Sequence, residues 1–252
     1  MMNASAAWKI NGTVYSGRSH AEILRELDAA HKRGDIQHGY VDLAGNFYGS
    51  IEELLKSMKE TIIIRHAETY YNINETENLD SNLTERGVRQ AVGLATYLGD
   101  SGDADGFSGL VSPFVRTLET ALAIHAATGV PFMVFPLVSE YGATWSKVPY
   151  HVFVPARQEQ YPMFDWSLYQ HGELFTAETF NQFLDRMRKV LESDLPEKTV
   201  IVSHGAVVYT LVDLLTGGGM LEEGYGQVTN ASVTKLRGTT LDYLFKQEWN
   251  GD

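Results

Sequence analysis

Apolar and polar positions along this chain follow two different regimes, and the change between them divides it. Over residues 1–59 the apolar runs are short, as in Thr13-Val14-Tyr15 and Gly39-Tyr40-Val41, and between them lies a helical pattern with Ile23, Leu24 and Leu27 on one face. Ser19 followed by Glu22 is a capping box, in which the two side chains satisfy free backbone N–H groups, and Gly34 ends the helix. A second box, Ser50 with Glu53, opens a shorter helix carrying Leu54, Leu55 and Met58. The segment reads as a small strand-helix-strand-helix appendage.

From Thr61 the texture changes. Ile62-Ile63-Ile64 is a continuous β-branched run, the pattern of a strand covered on both faces. Further strands are expected at Gly109-Leu110-Val111, at 132–135 and at 199–202, with helices over 84–98, 115–128, 179–191 and 206–215. Strands alternating with helices predict an α/β fold, a three-layer α/β/α arrangement with a mostly parallel central sheet. In such sheets ligands bind beyond the carboxyl ends of the strands. Arg65-His66 directly follows the first buried strand and Ser203-His204-Gly205 follows the last, so both histidines are expected at that edge. Residues 141–176 break the alternation, with Trp145, Tyr150, Phe153, Tyr161, Phe164, Trp166 and Tyr169 spread among Pro149, Pro155 and Pro162. They read as an irregular insertion that could roof the site, with ordinary packing equally open.

Composition narrows the chemistry. A chain of 252 residues with 44 % hydrophobic content can bury a full core. The expectation is one catalytic domain over 60–252 plus the appendage. No apolar run approaches the roughly 18 to 20 residues that span a bilayer, and residues 1–8 lack the basic and apolar regions of a signal peptide, so a cytoplasmic protein without membrane partners is expected. With no cysteine there are no disulfides, thiolate nucleophiles or cysteine zinc sites. The net charge of −12 excludes a broad grip on nucleic acid but not a local cluster of cations around one small anion.

Four blocks supply such a cluster in order: Arg65-His66-Ala67-Glu68-Thr69-Tyr70-Tyr71-Asn72; Leu83-Thr84-Glu85-Arg86-Gly87; Ser112-Pro113-Phe114-Val115-Arg116-Thr117; and Val202-Ser203-His204-Gly205. Together they resemble the signature of the histidine phosphatase (phosphoglycerate mutase-like) superfamily, branch 1, with Ala67 where glycine is usual. The blocks span roughly residues 61 to 236, so the resemblance leaves the appendage unexplained. It implies a metal-independent phosphomonoesterase without cofactors, in which His66 is transiently phosphorylated within Arg65, Arg116 and His204. It places a general acid at Glu140, with Asp165 and Glu173 as weaker rivals, and phosphate contacts at Thr69, Asn72 and Gly205.

Elementary chemistry favours the same residue types. Phosphoryl transfer is mostly positioning and charge stabilisation, arginine forks match phosphate oxygens, and a neutral imidazole can attack phosphorus. The second nitrogen of His66 should then donate to a carbonyl or a similar acceptor. Other features have plainer readings: Glu68 as a structural carboxylate, Ser203 as a turn residue, and Gly217-Gly218-Gly219 as a turn rather than a phosphate loop. The histidines lack the spacing of a metal site.

Two alternatives remain open. A phosphoglycerate mutase shares the catalytic set, but residues 141–176 contain only Lys147 and Arg157 as fixed cations where mutases carry a basic insertion. A non-catalytic, phosphate-ester-binding regulatory module would use residues 1–59 to recognise a partner. The expected partners are a small-molecule or peptide phosphate ester, and through residues 1–59 a second copy or another protein.

Overall fold

The computed structural model describes residues 5–10, 13–16, 36–41, 47–48, 59–141, 156–171, 178–193, 195–217, 228–247 and 249. The chain divides into two compact units, one of residues 1–59 with 237–240 and one of 60–236 with 241–252. In the first, β1 (Ser5–Ile10), β2 (Thr13–Ser16), β3 (Ile36–Val41) and β4 (Phe47–Tyr48) form an antiparallel sheet in the order β2-β1-β3-β4. The expected strands at 13–15 and 39–41 are β2 and β3. β1 escaped the sequence reading because Ser5-Ala6-Ala7 has little strand preference, and β4 because two residues carry no period. Both expected helices lie outside the described residues.

The second unit holds a six-stranded sheet of β5 (Glu60–Arg65), β6 (Ser108–Val111), β7 (Phe132–Val134), β8 (Lys198–Ser203), β9 (Val233–Arg237) and β10 (Thr240–Lys246), ordered β10-β9-β5-β8-β6-β7. The pairs β5-β8, β8-β6 and β6-β7 are parallel, with Arg65 opposite Ser203 and Val111 opposite Val202. The helices that flank them include α1 (Glu85–Ser101), α2 (Val115–Thr128), α3 (Phe180–Glu192) and α4 (Gly205–Leu215).

The three consecutive isoleucines of β5 show why the run is unbroken. Ile62 and Ile64 pack with Leu94 and Leu98 of α1 and Leu118 and Ile124 of α2, whereas Ile63 packs with Phe183 and Met187 of α3 and Leu211 of α4. Successive side chains point to opposite faces, and here both faces are core. Full burial is worth roughly 1.5–3 kcal/mol for each isoleucine. The predicted α/β/α architecture is what the chain adopts. β9 and β10 were not anticipated, although the apolar residues on either side of Gly238 carried a strand signal.

The described part of the insertion decides between the two readings left open. Tyr161, Phe164, Trp166 and Tyr169 are buried in the α1/α2-side core, and Asp165 pairs with the edge strand β7 through Val134 N–H (2.8 Å) and Phe132 O (2.9 Å). These aromatics fill the core and do not roof the site. Trp145, Tyr150 and Phe153 lie outside the described residues.

Candidate active site

Parallel pairing in register brings the ends of β5 and β8 side by side, and this places His66 and His204 with ring centroids 5.4 Å apart. Every backbone group around His66 is held. Its N–H donates to Ser203 O (2.9 Å), and its carbonyl accepts from Ala231 N (3.1 Å) and Asn230 Nδ2 (3.2 Å). The next N–H, of Ala67, donates to Thr120 Oγ1 (3.1 Å). Ala67 is fully buried and is not among the residues of positive φ, so alanine sits without strain where glycine is usual.

The ring is held as firmly. His66 Nδ1 lies 2.7 Å from Ala67 O, which can only accept, so Nδ1 carries the proton. Nε2 is therefore bare, and it accepts from Arg116 Nε at 3.1 Å. Burial, with Arg116 and Arg65 nearby, holds the His66 pKa well below its ordinary value, and the ring is neutral. His204 is depressed by the same causes; its Nε2 contacts Ser112 Oγ at 2.7 Å, and its Nδ1 stands 3.9 Å from Glu140 Oε2.

The arginines approach from two directions. Arg65 closes β5 and donates to Val228 O, while Arg116, from the first turn of α2, donates to Leu79 O and lies over the Phe114 ring at 4.4 Å. Burial pushes the Arg116 pKa down to about 10 against the opposing pull of Glu140 and Asp80, so it remains a cation. Two buried polar atoms, Arg65 Nε and His204 Nδ1, have no hydrogen-bond partner; with Ser112 donating to His204 Nε2, both are donors. Leaving a buried donor unmade costs about 1–3 kcal/mol, a debt that an anion between the two would cancel. α4 starts at the same place: its N-cap is His204, which makes no side-chain cap, so the N-terminal dipole and the Gly205 N–H face this end of the sheet.

Glu140 enters from the β7 side, after a 3-10 turn (Pro136–Val138). Its side chain is 26 % exposed and accepts from Tyr141 N–H (2.9 Å), and burial raises its pKa against the pull of Arg116. Arg186 of α3 holds this loop, donating to Leu137 O (2.7 Å) and Ser139 O (2.8 Å) while paired with Glu178.

The remaining sequence candidates divide. Thr69 is buried, and its hydroxyl donates to Asn72 Oδ1 (3.0 Å), which also accepts from Thr69 N (3.1 Å) and Asn230 Nδ2 (3.1 Å). Thr69 thus shapes the turn that presents Asn72. Asp165 is set apart from the histidines, its Oδ1 accepting from Ser167 N (2.8 Å) at the sheet edge; Glu173 lies outside the described residues. Glu68 is structural, as expected, accepting from Thr84 Oγ1 (2.9 Å) and Arg86 (3.1 Å). Thr84 Oγ1 in turn caps α1 through Gly87 N (2.9 Å), and a Cβ on Gly87 would lie 2.0 Å from Glu68 O. The second block is thus the mortise that docks α1 onto the first.

Ser203 Oγ donates to Val138 O (2.6 Å), a structural bond. Gly217, at φ +86°, follows the end of α4, while Gly218 and Gly219 lie outside the described residues.

Sequence reasoning missed Ser112, Asp80, Arg186 and Asn230. Asp80 caps α2 from a distance through Val115 N (2.7 Å) and pairs with Arg157 (2.5 Å). Ser112 stood first in its block and was the one with a visible signal. A cavity of about 650 Å³, lined mainly by Leu110, Phe132, Met133, Leu168 and Leu195, lies toward the amino-terminal ends of β6 and β7, at the opposite edge from the histidines. Among the described residues no three His, Asp or Glu side chains cluster so as to hold a metal ion, and no helix is long and apolar enough to cross a membrane.

A parallel sheet with two histidines and two arginines at its carboxyl edge defines a phosphate-handling class, and comparison with known proteins agrees. The model of the histidine phosphatase superfamily (branch 1) matches residues 61–248, and the chain belongs to that family. It is 31 % identical over 206 residues to a Hydrogenobacter thermophilus protein provisionally named phosphoserine phosphatase 2, covering 75 % of this chain and 96 % of that one. It is 25 % identical to the metal-independent phosphoserine phosphatase of Arabidopsis thaliana, over 84 % of this chain and 88 % of that one. The fold matches that of the Bombix mori ecdysone phosphate phosphatase in complex with tungstate, with a TM-score of 0.55, 16 % identity, and 74 % and 92 % of the two chains covered. Membership and relatives together support phosphomonoester hydrolysis.

Proposed function

We propose that this protein hydrolyses phosphate monoesters through a covalent phosphohistidine on His66, without a metal. The observation that carries the reading is the bare Nε2 of a neutral, fully held imidazole facing Arg116, beside two buried donors that lack partners. An arriving phosphoryl group takes the Arg116 donor for its own oxygens, and this frees the Nε2 lone pair for in-line attack on phosphorus. Arg65, Arg116, His204 Nδ1, the Asn72 amide and the Gly205 N–H hold the equatorial oxygens. As the N–P bond forms and the ester P–O bond breaks, Glu140, whose pKa burial raises, gives its proton in the acid form to the leaving alkoxide. Water then attacks phosphorus, loses a proton to the Glu140 carboxylate, and returns His66 with release of phosphate.

Hydrolysis is preferred over mutase chemistry because Arg157, one of the insertion's two cations, is engaged by Asp80. Phosphoserine is the first natural ester to offer, on the strength of the two named relatives. A cytoplasmic setting, and recognition of a partner or second copy by residues 1–59, belong to the same proposal. The test is turnover of p-nitrophenyl phosphate and phosphoserine with and without EDTA. Unchanged rates in chelator are expected; loss of turnover restored by added Mg²⁺ or Mn²⁺ would contradict the reading.

A further inference from the structure

We infer that Asn230 is a positioning residue of the site, a clamp that fixes the His66 nucleophile and the Asn72 phosphate contact through one side-chain amide. The inference rests on the phosphohistidine reading for its catalytic consequence, but its geometry stands apart from that reading.

The two hydrogens of Asn230 Nδ2 are both spent at the site, one on His66 O at 3.2 Å and one on Asn72 Oδ1 at 3.1 Å. His66 O also accepts from Ala231 N (3.1 Å), so both of its lone pairs are filled from consecutive residues of one turn. This carbonyl belongs to the peptide joining His66 to Ala67, and Ala67 O is the acceptor that orients the His66 ring. Holding that peptide plane sets the direction of the ring. The same amide settles Asn72: three donors converge on its Oδ1, so its NH₂ is the end left to face an anion.

The turn is itself over-determined. Ala231 has φ +56°, a left-handed conformation that costs an alanine of order 1 kcal/mol or more, and it is fully buried. It is held there by its bond to His66 O, by Trp249 Nε1 donating to Ala231 O (2.8 Å), and by Gln247 Nε2 donating to Asn230 O (2.6 Å). Strain of this kind persists where surrounding structure enforces it, and here what it delivers is one N–H and one amide aimed at the nucleophile's carbonyl. No other described side chain bonds both His66 and Asn72.

The test compares wild type with Asn230→Ala and Asn230→Asp in the full chain, by the pre-steady-state burst of p-nitrophenol from p-nitrophenyl phosphate. Misplacing a reacting group by about 1 Å can cost roughly 100-fold. For Asn230→Ala the expected result is a saturating burst rate lowered about 10- to 100-fold, with the half-saturating concentration changed less than about threefold. For Asn230→Asp, the carboxylate cannot donate, whereas the protonated acid can donate once. Its rate relative to wild type should therefore climb as pH is lowered from 7 to 5, a profile that loss of packing alone would not give. A folded Asn230→Ala with a burst within twofold of wild type, or a loss carried wholly by half-saturation, would overturn the proposal. Should Asn230→Ala fail to fold, the isosteric Asn230→Asp decides by its pH profile. Should wild type show no burst, breakdown of the phosphoenzyme is not slower than its formation, and the clamp is read instead from the steady-state kcat and KM of the same variants and from histidine ¹⁵N shifts; the phosphohistidine reading itself fails only if no phosphoenzyme can be trapped during turnover. A single Nδ1-protonated His66 tautomer that becomes mixed in Asn230→Asp supports the clamp, and identical spectra refute it.

Discussion

On the β5-β8 side of the pocket, Arg65, His66 and His204 sit at strand ends whose register is fixed by parallel pairing, and His66 and His204 are essentially without exposure. On the β7 side, Glu140 hangs beyond a 3-10 turn, a quarter exposed, tied down at one remove by Arg186 from α3. The first side is built to hold a charge in a fixed place. The second is built to pass a proton, which requires access to the leaving group and to water. Geometry is invested where displacement is most costly.

The largest effects should come from the fixed side. Arg116→Lys keeps the charge but loses the planar fork and the Nε contact to His66, and kcat/KM for p-nitrophenyl phosphate should fall about 10³-fold. A loss below tenfold would mean that the fork is not what the site uses. Glu140→Gln should lower kcat for phosphoserine about 100-fold or more, but slow the release of p-nitrophenolate much less, because that leaving group departs without a proton. Equal losses on both substrates would remove Glu140 from the acid role.

Arg186→Met links the two sides. It should reduce kcat for phosphoserine about tenfold, and almost not at all when Glu140 is already glutamine, as a double-mutant cycle would read. It should also destabilise the protein by about 3 kcal/mol, because it leaves Glu178 buried without its partner.

The legibility of the sequence follows the same division. The strand-end histidines and Arg65 were readable because a buried strand and its following loop are contiguous in sequence, the four helices because each carries its own period, and Arg116 through the resemblance of its block to the family signature. The block containing Thr84 and Gly87 was readable as well, and the structure supplies its reason in the docking of α1 against Glu68. The supports were not readable. Arg186, Asp80 and Asn230 reach the site from 47, 35 and 164 positions away, through bonds to Ser139, Val115 and His66 that no local period encodes. The aromatic insertion stayed ambiguous for a related reason, since Tyr161 and Trp166 among prolines look the same whether they line a pocket or fill a core.

The pH dependence sharpens the comparison at smaller scale. His66 must be neutral, and its lowered pKa moves the acid limb of activity below the ordinary 6.5; Glu140 must be protonated, and its raised pKa moves the alkaline limb above the ordinary 4.5. The kcat/KM profile for phosphoserine should thus be a bell whose alkaline limb disappears in Glu140→Gln. The smallest effect belongs to Asp165→Asn, which should leave activity within twofold of wild type, as befits a residue at the sheet edge.

The most direct measurement of the central claim is rapid-quench trapping of labelled enzyme under alkaline conditions during turnover of a ³²P-labelled ester, in wild type and in His66→Ala. The account predicts a phosphoenzyme that is stable in alkali, labile in acid, mapped to His66 and absent from His66→Ala. An enzyme that turns over rapidly with no trapped phosphoenzyme, or a label that persists in His66→Ala, would contradict it.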